Sequence, residues 1–203
     1  MDIVSTIVEW TNQHLEFAYA SVFLMALLES VPFLGGFVPG SAAIVGISTL
    51  AVAGAVRPWA IIVVAMIGAI MGDGLSYWLG YRYGGTIRGI WPLSREPELI
   101  ARSEAFFHRY GRISVFFARF VPPVRALIPV VAGVLQMPPH AFVAANAAAA
   151  FGWSLVHVLL GLAIGNSLTF FEGHPERGTV VFVLVLAGFG ILTWAVSRFF
   201  RRA

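Results

Sequence analysis

The residues that interrupt the apolar stretches of this chain are where its chemistry is to be sought. Glu29 stands in an otherwise apolar run from Leu15 to about Leu34. Arg119 and Arg125 flank Phe120-Val121-Pro122-Pro123-Val124 inside a second run, from Ile113 to Leu135. If these runs lie in a membrane, each charge costs about 2.5–3.5 kcal/mol or more, so the arginine pair asks for about 5–7 kcal/mol of compensation. An anionic ligand would supply it, because arginine offers phosphate or carboxylate a planar fork of N–H donors. Structural ion pairs with Glu29 and Asp73 would supply it too, and the two roles can coexist. Pro122, Pro123 and Pro129 free backbone groups and could aim a half-helix N-terminus at an anion. Glu29 is a candidate proton carrier; the alternatives are an interfacial carboxylate or an arginine's structural partner.

Asp73, Tyr77, Gly80 and Gly84 follow one another at i, i+4, i+7 and i+11, a continuous helical stripe. The glycines allow close helix packing. For Asp73 a buried pair with an arginine is favoured over direct chemistry. Asn146 and His157 are lone polar residues on an apolar span, expected to make interhelical hydrogen bonds. No second histidine has metal-ligand spacing to His157. His14, His108, His140 and His174 fall near expected interfaces or loops. There is no G-x-S-x-G, P-loop, HExxH or paired-cysteine signature. No metal, cofactor or enzymatic activity is therefore expected.

The elements that must hold these residues follow from composition. The 203 residues are 59% hydrophobic and 11% charged, whereas a soluble domain carries about 25% charged residues. That excludes an ordinary cytosolic globule, a disordered chain and a disulfide-stapled one. Nucleic acid is excluded as a partner, because 13 arginines against 10 acids leave no large basic face. The absence of cysteine removes thiol catalysis. An integral membrane protein remains, with room for about five or six segments of roughly 20 residues and none for a separate soluble domain. Residues 1–14 form a short, mildly amphipathic start without the basic region of a signal peptide.

Apolar runs span 15–34, 37–56, 58–79, 113–135, 141–164 and 179–196. Residues 82–112 carry six arginines and three glutamates. Within them a helix from near Ser94 or Pro97 would place Leu99, Ile100, Phe106, Phe107 and Tyr110 on one side, as an interfacial helix does. Arginine bias puts 82–112 and the C-terminus in the cytoplasm and the acidic loop 166–178 outside. Only an odd number of crossings fits between Arg112 and that loop, and 141–164 supplies one. Residues 113–137 must then dip in and return, and such broken backbone survives only when shielded by protein or beside a water-filled cavity. At the front, residues 35–56 can dip in from outside by the same count. Pro58, Gly80 and Gly84 match Pro139, Gly161 and Gly165 at a constant offset of 81. That is a weak internal repeat of the kind that builds inverted-repeat transporters.

The expected fold is an all-α integral membrane protein, an inverted repeat with two opposed re-entrant helical hairpins, spanning helices and one amphipathic interfacial helix. Residues 1–203 form a single membrane domain. The first repeat covers 15–84, with its re-entrant segment near 35–56. The interfacial helix covers 94–111, and the second repeat 113–165, with re-entrant segment 113–137. A final spanning helix covers 179–200.

Four pieces, in this order and spacing, resemble the DedA family of membrane proteins, also called the SNARE-associated or VTT domain. They are Glu29 with Phe37-Val38-Pro39-Gly40; Gly72-Asp73 with Tyr77, Gly80 and Gly84; Arg119-Phe120-x-Pro122-x-x-Arg125; and Pro129-x-x-Ala132-Gly133 with Met137. The resemblance covers about residues 15–170. It implies a bacterial cytoplasmic (inner) membrane protein that flips a phospholipid-like substrate, with undecaprenyl phosphate foremost and the proton motive force as driver. It implies that Arg119 and Arg125 bind phosphate and that Glu29 couples protons, with Asp73, Tyr77, Pro39, Gly40, Ser41, Pro122 and Pro129 in support. One departure stands out: many bacterial members carry an acid after the Pro-Gly, where this chain has Ser41. Proton coupling would then rest on Glu29 alone, and uncoupled scrambling is open. Membrane lipids are the expected partners. A proton-coupled small-ion transporter and a non-transporting membrane scaffold are the competing functions.

Overall fold

The computed structural model describes residues 3–32, 34–36, 38–87, 97–111, 113–119, 125 and 127–170. Helices and their connections account for all of them, with no strand among the described residues. Helix α1 runs Ile3–Gln13, α2 Leu15–Ser30, α3 Gly40–Thr49, α4 Pro58–Ile87, α5 Pro97–Tyr110, α6 Ile113–Ala118, α7 Ile128–Val134 and α8 Pro139–Phe170. The expected final span, 179–200, and Pro122 lie outside the described residues.

Local chemistry sets the ends. Val31 is extended (φ −85°, ψ 131°), as a residue before proline prefers, so α2 stops one residue earlier, at Ser30. Helices α4 and α8 each begin on a proline, whose missing N–H is no loss at a first helical position. Gly111 ends α5 at φ 56°, its N–H bonded 2.7 Å from the Phe107 carbonyl. One expectation needs correction. Helix α8 continues through residues 166–170, which the sequence assigned to a loop; no helix breaker occurs before Gly173, and the Ser167 hydroxyl bonds the Ala163 carbonyl at 2.8 Å. Helix α4 carries the Asp73–Gly84 stripe as expected and runs on to Ile87, bending at Tyr83 (φ −122°, ψ 19°).

Among the described residues, two helices are long and apolar enough to cross a membrane: 58–84, with mean hydropathy 1.8, and 139–167, with 1.9. Each turns an apolar stripe outward, Val63, Ile67, Met71, Leu75 and Trp78 on one and Val143, Phe151, Val156 and Leu159 on the other. Stripes of that length on two helices suit lipid rather than water. By contrast α3, α6 and α7 have 10, 6 and 7 residues, far short of the roughly 20 a span requires.

The short helices are held by the long ones in a reciprocal way. Helix α4 packs on α2 and α7, while α8 packs on α3 and α6. Gly80 and Gly84 of α4 face Val130 and Val134 of α7. Gly161 and Gly165 of α8 face Val45, Ser48, Thr49 and Val52, on α3 and the turns after it. Each long helix thus grips the short helix of the other half through the glycines that recur at an offset of 81. The core consists of one cluster around Ala26, Ile44, Ile61, Ala65 and Trp153 and a second around Tyr77, Ile128, Ala132 and Phe142.

A Cβ at Gly161 would meet the Val45 carbonyl oxygen at 2.5 Å, and one at Gly80 would run into the Val130 carbonyl, whereas Gly74 faces open space. Gly80→Ala and Gly161→Ala should each lower stability by about 1–3 kcal/mol through overpacking. Gly74→Ala should be neutral or slightly stabilising, since alanine is the better helix former. Thermal unfolding in detergent reads all three.

Candidate functional site

The intramembrane charges meet in two pairs. Arg119, just past α6, donates from Nη1 to Asp73 of α4. Arg125, between α6 and α7, donates from Nη2 to Glu29 near the end of α2. Both acids come from the first half of the chain and both arginines from the second. The Asp73 and Glu29 residues are 5% and 6% exposed, and Arg119 is 9% exposed. At such burial the pairs are needed to hold the charges, because an unpaired ion in an apolar interior is far more costly.

The elements that place these groups also supply their other ligands. Ser30, the last residue of α2, receives Arg119 Nη2 at 3.2 Å. Asn146 of α8 accepts from Nη1 at 3.4 Å, so the interhelical bond expected of it is present. Trp153, two turns along α8, lies 5.0 Å from the Arg119 guanidinium carbon and covers its face as a cation–π partner. On the other side, Ser41 in the first turn of α3 donates to Glu29 Oε1 at 2.7 Å. Gly40 lets α3 approach: a Cβ there would lie 2.5 Å from Glu29 Oε2 and 2.7 Å from the Met25 carbonyl. Pro39 is the residue that precedes α3 and caps its start.

A cavity of about 20 Å³ lies between the pairs, room for about one water. Glu29 and Ser30 of α2, Asp73 of α4, Val115 of α6, Arg119, Arg125, Ile128 and Pro129 at α7, and Asn146 and Trp153 of α8 line it. Among the described residues, three buried side-chain polar atoms have no hydrogen-bond partner: Glu29 Oε2, Arg119 Nε and Asn146 Nδ2.

The structure therefore gathers Glu29, Ser41, Asp73, Arg119, Arg125 and Pro129 at one place. It leaves Tyr77 aside: its hydroxyl donates to the Met137 carbonyl and its ring stacks on Phe142 at 4.2 Å, which ties α4 to the α7–α8 connection and the start of α8. His157 Nδ1 lies 2.8 Å from the Trp153 carbonyl of its own helix, one turn back. Ser30 and Trp153 were not singled out in the sequence. Ser30 adjoins Glu29, and Trp153 lies seven residues from Asn146 on one helix face, so both signals were available.

Removing one member of a buried pair strands the other. Asp73→Asn should destabilise the protein by about 3–5 kcal/mol. The double change Asp73→Asn with Arg119→Met should cost clearly less than the sum of the two single changes. A double-mutant cycle on thermal unfolding in detergent would show the coupling.

Comparison with known proteins gives the following. Residues 38–163 match the VTT domain. The chain is 28% identical over 191 residues to the inner membrane protein YabI of Escherichia coli, covering 92% of this chain and 75% of that one. It is 32% identical over 174 residues to undecaprenyl phosphate transporter A of Bacillus subtilis, covering 81% and 79%. It is 29% identical over 157 residues to an alkaline phosphatase-like protein of Lactococcus lactis, covering 70% and 71%. No solved structure matches.

Proposed function

Since the chain belongs to the VTT-domain family, also called DedA, we propose that it carries a lipid phosphate from one leaflet of the bacterial cytoplasmic membrane to the other. Undecaprenyl phosphate is the favoured substrate and a phospholipid the next. The observation that carries this is the pair of arginines beside one cavity at the meeting of α2, α4, α7 and α8. Their guanidiniums can offset the desolvation of a phosphate that an apolar path would exclude. The hydrocarbon tail needs no polar path and stays in the bilayer, so the protein has only a headgroup to enclose. A cavity of about 20 Å³ does not hold a phosphate, so the short helices must part to admit one.

In this reading α3 and α7 are the inner arms of two re-entrant hairpins, entering from opposite faces. The reciprocal glycine contacts and the shortness of α3, α6 and α7 support that arrangement. Residues 82–112 and the C-terminus lie in the cytoplasm. Glu29 couples the step to protons: taking one up would release Arg125 for the substrate, and Ser41 keeps a hydrogen bond on the carboxyl in its place.

Purified protein in liposomes carrying fluorescent undecaprenyl phosphate or phospholipid should speed headgroup exposure on the opposite leaflet. Arg119→Lys and Arg125→Lys should be at least tenfold slower, because lysine cannot reproduce the fork. An imposed pH gradient should change the rate in the wild type and not in Glu29→Gln. Equal rates in wild type, both lysine variants and protein-free liposomes would defeat the lipid proposal. Release of trapped small anions instead would favour an ion transporter, free phosphate appearing in the medium a hydrolase, and neither a scaffold.

A further inference from the structure

The surroundings of Arg119 fix the side from which an anion can reach it. Its guanidinium has five N–H hydrogens. Nη1 gives its two to Asp73 and Asn146, and Nη2 gives one to Ser30. The guanidinium carbon also lies over the Trp153 ring, 5.0 Å from its centroid. Nε and one hydrogen of Nη2 remain, and Nε is buried without a partner. An anion therefore has one route of approach, edge-on along the Nε side, with the Asp73 pair intact.

A second unspent donor lines the same cavity. Asn146 is 2% exposed. Its amide orientation is settled by Arg119, because only the oxygen can face a guanidinium. Nδ2 must then point the other way, and it too is buried without a partner. A buried N–H without an acceptor is costly in a protein that folds alone. Two of them beside one cavity, with Arg119 and Asn146 both in its lining, make a site that a bound anion would complete. The third unpartnered atom, Glu29 Oε2, faces the backbone at Gly40 and is an acceptor, so it cannot relieve either donor.

We propose that Asn146 is a substrate-binding residue: its Nδ2 takes one anionic oxygen of the phosphate headgroup and the Nε of Arg119 takes another. This rests on the lipid-phosphate reading above and adds a residue that neither the arginine motif nor its spacing points to. Helix α8 becomes part of the binding surface, since Asn146 and Trp153 lie on one of its faces. The remaining headgroup oxygens fall to Arg125.

The test is equilibrium binding of farnesyl phosphate to the full chain in detergent, measured by calorimetry, for wild type, Asn146→Thr, Asn146→Ala and Arg119→Lys. Asn146→Thr adds no charge and keeps a hydroxyl oxygen as an acceptor for Arg119, while its hydrogen goes to the carbonyl one turn back on the helix, so the free N–H donor is lost. It should weaken binding by at least tenfold while thermal unfolding shows Arg119 still anchored. Asn146→Ala should weaken binding by about tenfold; if it does not fold, the threonine variant decides alone. A residue that only anchors Arg119 predicts instead that Asn146→Thr binds as the wild type does. That result, together with weakened Arg119→Lys, would overturn this inference and leave the lipid-phosphate reading standing. Absence of binding by the wild type would overturn both.

Discussion

Two guanidiniums set in an apolar interior govern this architecture. Neither can be left there uncompensated, and each is met by a carboxylate from the other half of the chain, Arg119 by Asp73 and Arg125 by Glu29. The pairs therefore join the halves as well as neutralise them. They also explain why the broken segments lie inside the helix assembly. Arginines placed beside helices of only 6 and 7 residues cannot be shielded by those elements, so the long helices must enclose them. Close approach of α4 to α7 and of α8 to α3 through glycines is what makes the enclosure tight.

Buried ion pairs of this kind are weak sources of stability, because desolvation cancels most of the attraction. Well-packed apolar residues of similar volume would serve folding as well. What such residues could not provide is a group that changes partners. Arg119 is held by a carboxylate and by two neutral ligands, Ser30 and Asn146, and Glu29 has the Ser41 hydroxyl besides its arginine. Each pair thus has a member that keeps a neutral hydrogen bond if its charged partner is exchanged.

Much of this was legible in the sequence, and the limits have physical causes. Glu29, Asp73, Arg119 and Arg125 were visible because a charge within an apolar run is conspicuous whatever the fold. Pro58 and Pro139 marked the starts of the long helices because proline's backbone preference acts locally, whereas Pro32 and Gly111, which lie at the ends of α2 and α5, were not read as breaks. Which acid meets which arginine was not legible, since the pairing depends on how α2 and α4 cross α7. Tyr77 misled for a related reason. Its place on the Asp73 stripe fixes its helix face, but its long side chain carries the hydroxyl to Met137, away from Arg119. Trp153 was hidden among 28 aromatic residues, Phe 17, Trp 6 and Tyr 5, where one indole covering a guanidinium has no signature of its own. The end of α8 was placed too early because apolarity stops at Ile164 while helix propensity does not.

The same pairs set the terms on which a lipid phosphate could enter. The four charges sum to zero, so an incoming anion adds uncompensated negative charge to a confined apolar space. If it displaces Glu29 from Arg125, the released carboxylate has Ser41 for company and no cation. Under the proposed function a proton takes the cation's place on Glu29, with the Ser41 hydroxyl still beside the carboxyl. Anion entry and proton uptake would thus be linked by competition for one guanidinium, without a dedicated relay. The Arg119 side can work differently, because its Nε edge is open while Asp73 stays paired. One arginine would then hold the headgroup throughout the movement, and the other would register its arrival by giving up an acid.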